Sequence, residues 1–250
     1  MRSFGLRRLC FLCVLVSAAA AACNPTSGLF RQYEYEEEMY LSLDGSATIY
    51  VNSSRAALNA LRGTSFDPRE TAPVDREGVR RYFTTPATRV SRVTASRRGG
   101  RQYVHVRLET DDVTALSAAA PFAWSSYVLT RAGETVTYKQ AIAGGPASRQ
   151  PEASAEWAGD ELVAFRVHIP SVVEWHNAGA ENLRRGNIVV YEQSLKDRLL
   201  GQPLDIEVRM QPRSILYSTL ILFASMFAVV GVLFGVVIWR VVRAGQKKGG

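Results

Sequence analysis

From Tyr33 to Leu43 apolar and polar side chains alternate. Tyr33, Tyr35, Met39, Leu41 and Leu43 share one face, Glu34, Glu36, Glu38 and Ser42 the other, and Glu37 interrupts the apolar row. A period of two predicts a half-solvated strand. Asp44-Gly45 is a hairpin signal, and Ala47, Ile49 and Val51 continue the alternation in a returning strand. Ser53 or Ser54 then caps a short helix through Leu61 that stops at Gly63.

The same reading carries along the chain. Thr64 to Pro73 reads as loop, and Asp75 caps a helix to about Phe83. Thr88–Ser96 and Gln102–Thr110 form a second hairpin around Gly99-Gly100, and Asp111 or Asp112 caps a short helix to about Ala118. Ser126–Thr130 and Thr135–Ile142 form a third hairpin across Ala132-Gly133. Gly144 to Ala153 reads as a surface loop. Strands are predicted at Glu161–Ile169, Asn187–Tyr191 and Leu204–Met210, with a short helix at Ser194–Leu200. Short hairpin-connected strands with three or four short helices predict an α+β domain on a largely antiparallel sheet.

The pattern changes at both ends. Arg2, Arg7 and Arg8 precede an apolar run from Leu9 to Val16 and small residues from Ser17 to Ala22, the three zones of an export signal. The run is shorter than the about 20 residues that span a bilayer. Cys23 follows Ala20-Ala21-Ala22, which resembles a bacterial lipobox with Ala20 where Leu is usual. That makes Cys23 a lipid attachment site, or else, after ordinary cleavage nearby, a free thiol. At the other end, Ile215 to Trp239 carries no charge, long enough for a transmembrane helix. Gly231 and Gly235 form a small-xxx-small pattern suited to helix packing and dimerisation. Arg240, Arg243, Lys247 and Lys248 follow at once, so the positive-inside bias puts the tail in the cytoplasm and the domain outside it. The expected layout is a signal over 1–22, an extracytoplasmic domain over 24–213, a span over 214–239 and a basic tail over 240–250.

Charge adds one distinction. The net charge is +7, but residues 1–23 carry three of those charges and 214–250 the other four, leaving 23 basic and 23 acidic side chains between them. The domain is neutral, and the basic balance belongs to the membrane-directed ends. Nucleic-acid binding loses its main support. All three cysteines lie in the first 23 residues, so the domain folds without disulfides or cysteine metal ligands.

Candidate chemistry is sparse. The chain has no Gly-x-Ser-x-Gly elbow, P-loop, His-Glu-x-x-His or dinucleotide fingerprint. No catalytic residue, metal ligand or cofactor is expected, and the chain reads as non-enzymatic. His105 and His168 fall inside predicted strands, and His176 lies on a loop after Pro170. Nine arginines and one acid, Glu77, occur between Arg76 and Arg107. Arg80, Arg81, Arg89, Arg92, Arg97, Arg98 and Arg101 are the candidates for contact with anionic head groups, since guanidinium forks suit phosphate. A solvated helix and hairpin whose charges pair with acids elsewhere is the simpler alternative. Glu34, Glu36, Glu37 and Glu38 read most simply as a solvated acidic face.

The layout, the hairpin Leu41-Ser42-Leu43-Asp44-Gly45-Ser46-Ala47, the segment Gly186-Asn187-Ile188-Val189-Val190-Tyr191-Glu192-Gln193-Ser194-Leu195 and the approach to the span at Arg209-Met210 resemble the mycobacterial lipoprotein M family. The resemblance implies an envelope protein whose domain binds lipids or glycolipids. The expected partners are a membrane lipid, a membrane protein bound by the span and a sheet edge, or a second copy of the chain.

Overall fold

The computed structural model describes residues 33–143, 157–179, 182–184 and 186–246. The expected signal, Cys23 and the end of the basic tail lie outside the described residues.

The domain is α+β, as the pattern predicts. Its strands are β1 (Tyr33–Leu41), β2 (Ala47–Ser54), β3 (Arg89–Arg98), β4 (Arg101–Thr110), β5 (Ser125–Ala132), β6 (Thr135–Ile142), β7 (Leu162–His168), β8 (Ser171–His176), β9 (Leu183–Arg184), β10 (Ile188–Ser194) and β11 (Leu204–Ser214). The helices are α1 (Arg55–Arg62), α2 (Arg76–Phe83), α3 (Leu195–Leu199) and α4 (Ile215–Gln246), with a 3₁₀ turn at Val113–Ala118. The strands form two sheets. One has the order β3-β4-β2-β1-β7-β10-β9, the other β5-β6-β11-β8. Every pairing is antiparallel except β1 with β7, which run parallel with Glu37 opposite Phe165.

One hydrophobic core lies between the sheets. Tyr35, Met39, Ile49, Val106, Leu108 and Phe165 face it from the larger sheet, and Tyr127, Val136, Tyr138, Val208 and Met210 from the smaller. Each such fully buried side chain contributes about 1.5–3 kcal/mol over its exposed state. Helix α1 closes part of this core through Ala57, Leu58 and Leu61.

Three helices begin where a strand ends on a serine. Ser54 Oγ accepts the Ala57 N–H at 3.0 Å, Ser194 Oγ the Asp197 N–H at 3.0 Å, and Ser214 Oγ the Tyr217 N–H at 3.1 Å. Each hydroxyl satisfies a backbone donor that the first helical turn leaves open. Helix α1 stops at Gly63, whose φ of 67° is the left-handed cap that glycine adopts without strain. Arg55, buried at the start of α1, donates to the carbonyls of Arg69 (2.7 Å), Pro73 (3.1 Å) and Ala72 (3.2 Å), pinning the following loop.

Helix α4 contains a stretch, Ile215–Arg240, long and apolar enough to cross a membrane, with none of its most apolar window buried in the protein. Its 26 residues extend about 39 Å, more than a hydrocarbon core of about 30 Å. The stretch follows β11 without a linker, and the Ile215 N–H donates to the carbonyl of Pro170 at 3.0 Å.

Candidate functional site

The main cluster of polar chemistry lies between the sheets. Glu37 points inward from β1 because its neighbours in register, Tyr35 and Met39, face the core. Its carboxylate receives the Arg62 guanidinium (3.0 Å), the Tyr35 hydroxyl (2.9 Å), the Gln140 amide (3.3 Å) and the Tyr127 hydroxyl (3.5 Å). Arg62 also donates to the Tyr35 hydroxyl. Tyr138 donates to Gln140 Oε1 at 2.9 Å. Burial pushes the Tyr35, Tyr127 and Tyr138 hydroxyls well above the ordinary tyrosine range, so all three keep their protons as donors.

A second buried guanidinium joins this cluster from α3. Arg198 is fully buried and spends its terminal nitrogens on the carbonyls of Ala143 (2.5 Å) and Gln202 (2.7 Å), with Gln193 Oε1 at 3.4 Å. The Arg62 and Arg198 guanidinium carbons stand 3.4 and 5.1 Å from the centroid of the same ring, Trp124. Burial, and then repulsion from Arg62, lowers the Arg198 pKa to about 10, which leaves it cationic at neutral pH. Tyr35 meets Trp124 edge-on at 5.7 Å, and Phe165 tilts against Trp124 at 5.8 Å. Four buried donors here have no hydrogen-bond partner among the described residues: Arg62 Nε and Nη1, Arg198 Nε and Trp124 Nε1.

Sequence reasoning singled out none of these cations. The legible signal was Glu37 in an otherwise apolar row. Arg62 follows Leu58 by four residues and Arg198 follows Leu195 by three, spacings that put both on apolar helix faces.

The expected acidic face divides. Glu36 and Glu38 do face outward, where Glu36 pairs with Arg166 and Glu38 accepts from His168 at 2.5 Å. Glu34 and Glu37 are buried, which corrects their reading as solvated. Glu34 accepts the Tyr103 hydroxyl at 2.9 Å. His105 lies on β4, its two ring nitrogens within 2.7 Å of Ser96 Oγ and 2.9 Å of Asn52 Oδ1. His176 is the last residue of β8, not part of a loop.

The seven candidate arginines spread over α2 and the β3–β4 hairpin, and four have acidic neighbours. Arg80 lies 3.6 Å from Glu77, Arg81 4.0 Å from Asp75, and Arg89 3.6 Å from both Glu109 and Asp111. Arg101 reaches Glu34 and Glu161, each at 3.6 Å, and sits over Trp157. Arg98 donates to the Tyr33 carbonyl at 3.2 Å. Arg92 and Arg97 are exposed on the edge strand β3, Arg92 opposite Arg107. Arg97, Arg98 and Arg101 lie beside the first residue of β1, whereas the long apolar helix α4 leaves the domain near Pro170, beyond the far end of β1 and β7. Gly231 and Gly235 lie on α4, with no atom within 4 Å of where a Cβ would stand.

These features describe an α+β domain with a buried, positively charged polar centre, joined directly to one helix long and apolar enough to cross a membrane. No family model matches the chain, and no curated protein matches it. Among solved structures it is similar to the folded domain of the Mycobacterium tuberculosis LppM protein, determined by NMR. The two are 14% identical over 74% of this chain and 94% of that one, with a TM-score of 0.38. So weak a likeness is compatible with the resemblance read from the sequence and carries no argument about function.

Proposed function

We propose that this protein is a non-enzymatic, single-pass envelope protein whose extracytoplasmic domain binds an amphipathic lipid or glycolipid beside the membrane. The junction at Ser214 and Ile215 carries the reading. The last strand of the domain becomes the apolar helix with no intervening loop, and the Pro170 carbonyl holds the first helical N–H. A domain fixed this closely to a bilayer meets lipids at high effective concentration. Native mass spectrometry of the full chain released from detergent tests it. Retention of one lipid per chain is the expected result, and a chain that carries none under conditions preserving the fold counts against it.

The second reading is an assembly subunit that recognises another membrane protein. It is favoured by β8, an edge strand beginning at the root of the span, with Val172 and Trp175 exposed. An uncovered edge is a ready template for pairing with another chain. Cross-linking from β8 that recovers one stoichiometric membrane protein would favour this reading over the lipid one.

A further inference from the structure

Two arginines buried around one tryptophan, with one carboxylate between them, make an unusual core. Glu37 neutralises Arg62, but among the described residues the donors of Arg198 reach only uncharged oxygens: the Ala143 and Gln202 carbonyls and Gln193 Oε1. Among the described residues the cluster therefore holds one positive charge more than it balances. Buried N–H groups without acceptors are rare in folded proteins, and an unpaired buried charge is costlier still. Water would accept from these donors but would leave the charge in place. An anion would do both.

We propose that Arg62, Arg198 and the indole N–H of Trp124 form a receptor for one anionic oxygen group, a carboxylate or phosphate, carried on an apolar or aromatic body. The donors left open are Arg62 Nε and Nη1, Arg198 Nε and Trp124 Nε1, three of them on guanidinium groups that suit such oxygens. The rings of Phe122, Tyr35 and Phe165 around Arg62 and Trp124 supply the apolar wall. Trp124 is only partly buried, which makes it the wall between the cluster and solvent.

The position in the fold bears on the source of the ligand. Helix α1 leaves β2 beside Tyr35, and α3 leaves β10 beside Leu162, so both helices stand at the starts of β1 and β7. Trp124 precedes Ser125, which pairs with Ile142, itself opposite Leu204 at the start of β11. All three residues of the receptor thus lie at the ends of the sheets away from the span. A free anion, or a lipid head group lifted clear of the bilayer, would meet the site there. The inference rests on the binding-protein reading for its ligand class, and its test separates the two.

The test uses the full chain in an uncharged detergent. Thermal unfolding and the indole N–H resonances are followed at constant ionic strength as chloride is replaced by inorganic phosphate, and separately as short-chain phosphatidic acid is added. The Trp124 resonance is assigned with Trp124→Phe. Either anion should raise the melting temperature and move that resonance. Arg198→Gln, which removes the guanidinium charge and keeps a polar amide, should weaken binding about tenfold or more, the loss of one charge-assisted hydrogen bond. Should Arg198→Gln fail to fold, Trp124→Phe keeps an aromatic face, removes the indole N–H, and should weaken binding in the same direction. Phosphatidic acid binding well above inorganic phosphate identifies a lipid head group, and equal binding identifies a free anion. Neither anion moving the resonance nor the melting temperature at millimolar concentration would overturn the receptor. A lipid still retained in native mass spectrometry would then keep the lipid reading and place it elsewhere.

Discussion

The Glu37 carboxylate and the Arg62 guanidinium meet at 3.0 Å with each side chain only 2% exposed. Glu37 also serves Tyr35, Tyr127 and Gln140, so the two partners are not equivalent. Removing Glu37 strands two buried cations, whereas removing Arg62 leaves the carboxylate with three neutral donors. Glu37→Gln should therefore cost about 3–5 kcal/mol, the range for an orphaned buried charge, and Arg62→Met measurably less. Urea unfolding of the two variants checks the order, and a larger loss in Arg62→Met would contradict it.

On the outer face of the same strand, Glu38 accepts from His168, which stacks on Tyr40 with ring centroids 3.9 Å apart. The hydrogen bond from His168, its largest influence, holds the Glu38 carboxyl below its ordinary value of 4.5. A depressed carboxyl favours the folded state when ionised. That stability is complete above about pH 4.5 and disappears as pH falls through the depressed value. Glu38→Gln should flatten the acid limb by under about 1 kcal/mol, since the pair is partly solvated. Urea midpoints at neutral and acid pH measure the difference.

Helix α2 is capped by Asp75, whose carboxylate accepts the Gly78 N–H at 2.8 Å. A Cβ at Gly78 would overlap that carboxylate. Loss of that cap, about 1 kcal/mol, offsets what alanine gains over glycine as a helix former, so Gly78→Ala should leave stability nearly unchanged. The double variant with Asp75→Ala should show less than additive loss in thermal melts, because both changes remove one bond.

His105 provides a second titration of the same sense at higher pH. Burial, and then the nearby Arg98, lower its pKa from 6.5, so protonation favours the unfolded chain. Stability should rise with pH between the depressed value and about 6.5. In His105→Gln that slope should vanish, and hydrogen exchange of the β3–β4 amides across this range would report it.

Much of the fold was readable because local rules agree. The three hairpins open at Asp44-Gly45, Gly99-Gly100 and Ala132-Gly133, and α1 and α2 begin after Ser54 and Asp75 with their apolar residues at helical spacing. Strand β8 was not readable, since Pro170 precedes it and its burial pattern does not alternate cleanly. The parallel pairing of β1 with β7 joins residues more than a hundred positions apart, and no local pattern encodes a partner at that distance. The site fared worse than the fold. A lone arginine near the end of a short helix carries the same local signature whether it faces solvent or a tryptophan, and only the tertiary placement of Trp124 brings Arg62 and Arg198 to one ring.

Where β11 becomes α4, strand and helix form one continuous strut. A helix longer than the hydrocarbon core relieves the excess by tilting, and its tilt follows bilayer thickness. With no slack between Ser214 and Ile215, a change of tilt is delivered as a load on β11 and on the hydrogen bond to Pro170. The same strand pairs with β6 from Leu204 to Met210, and β6 carries Tyr138 and Gln140 into the polar centre. In the single-pass arrangement proposed above, lipid composition thereby gains a mechanical line to the interior of the domain.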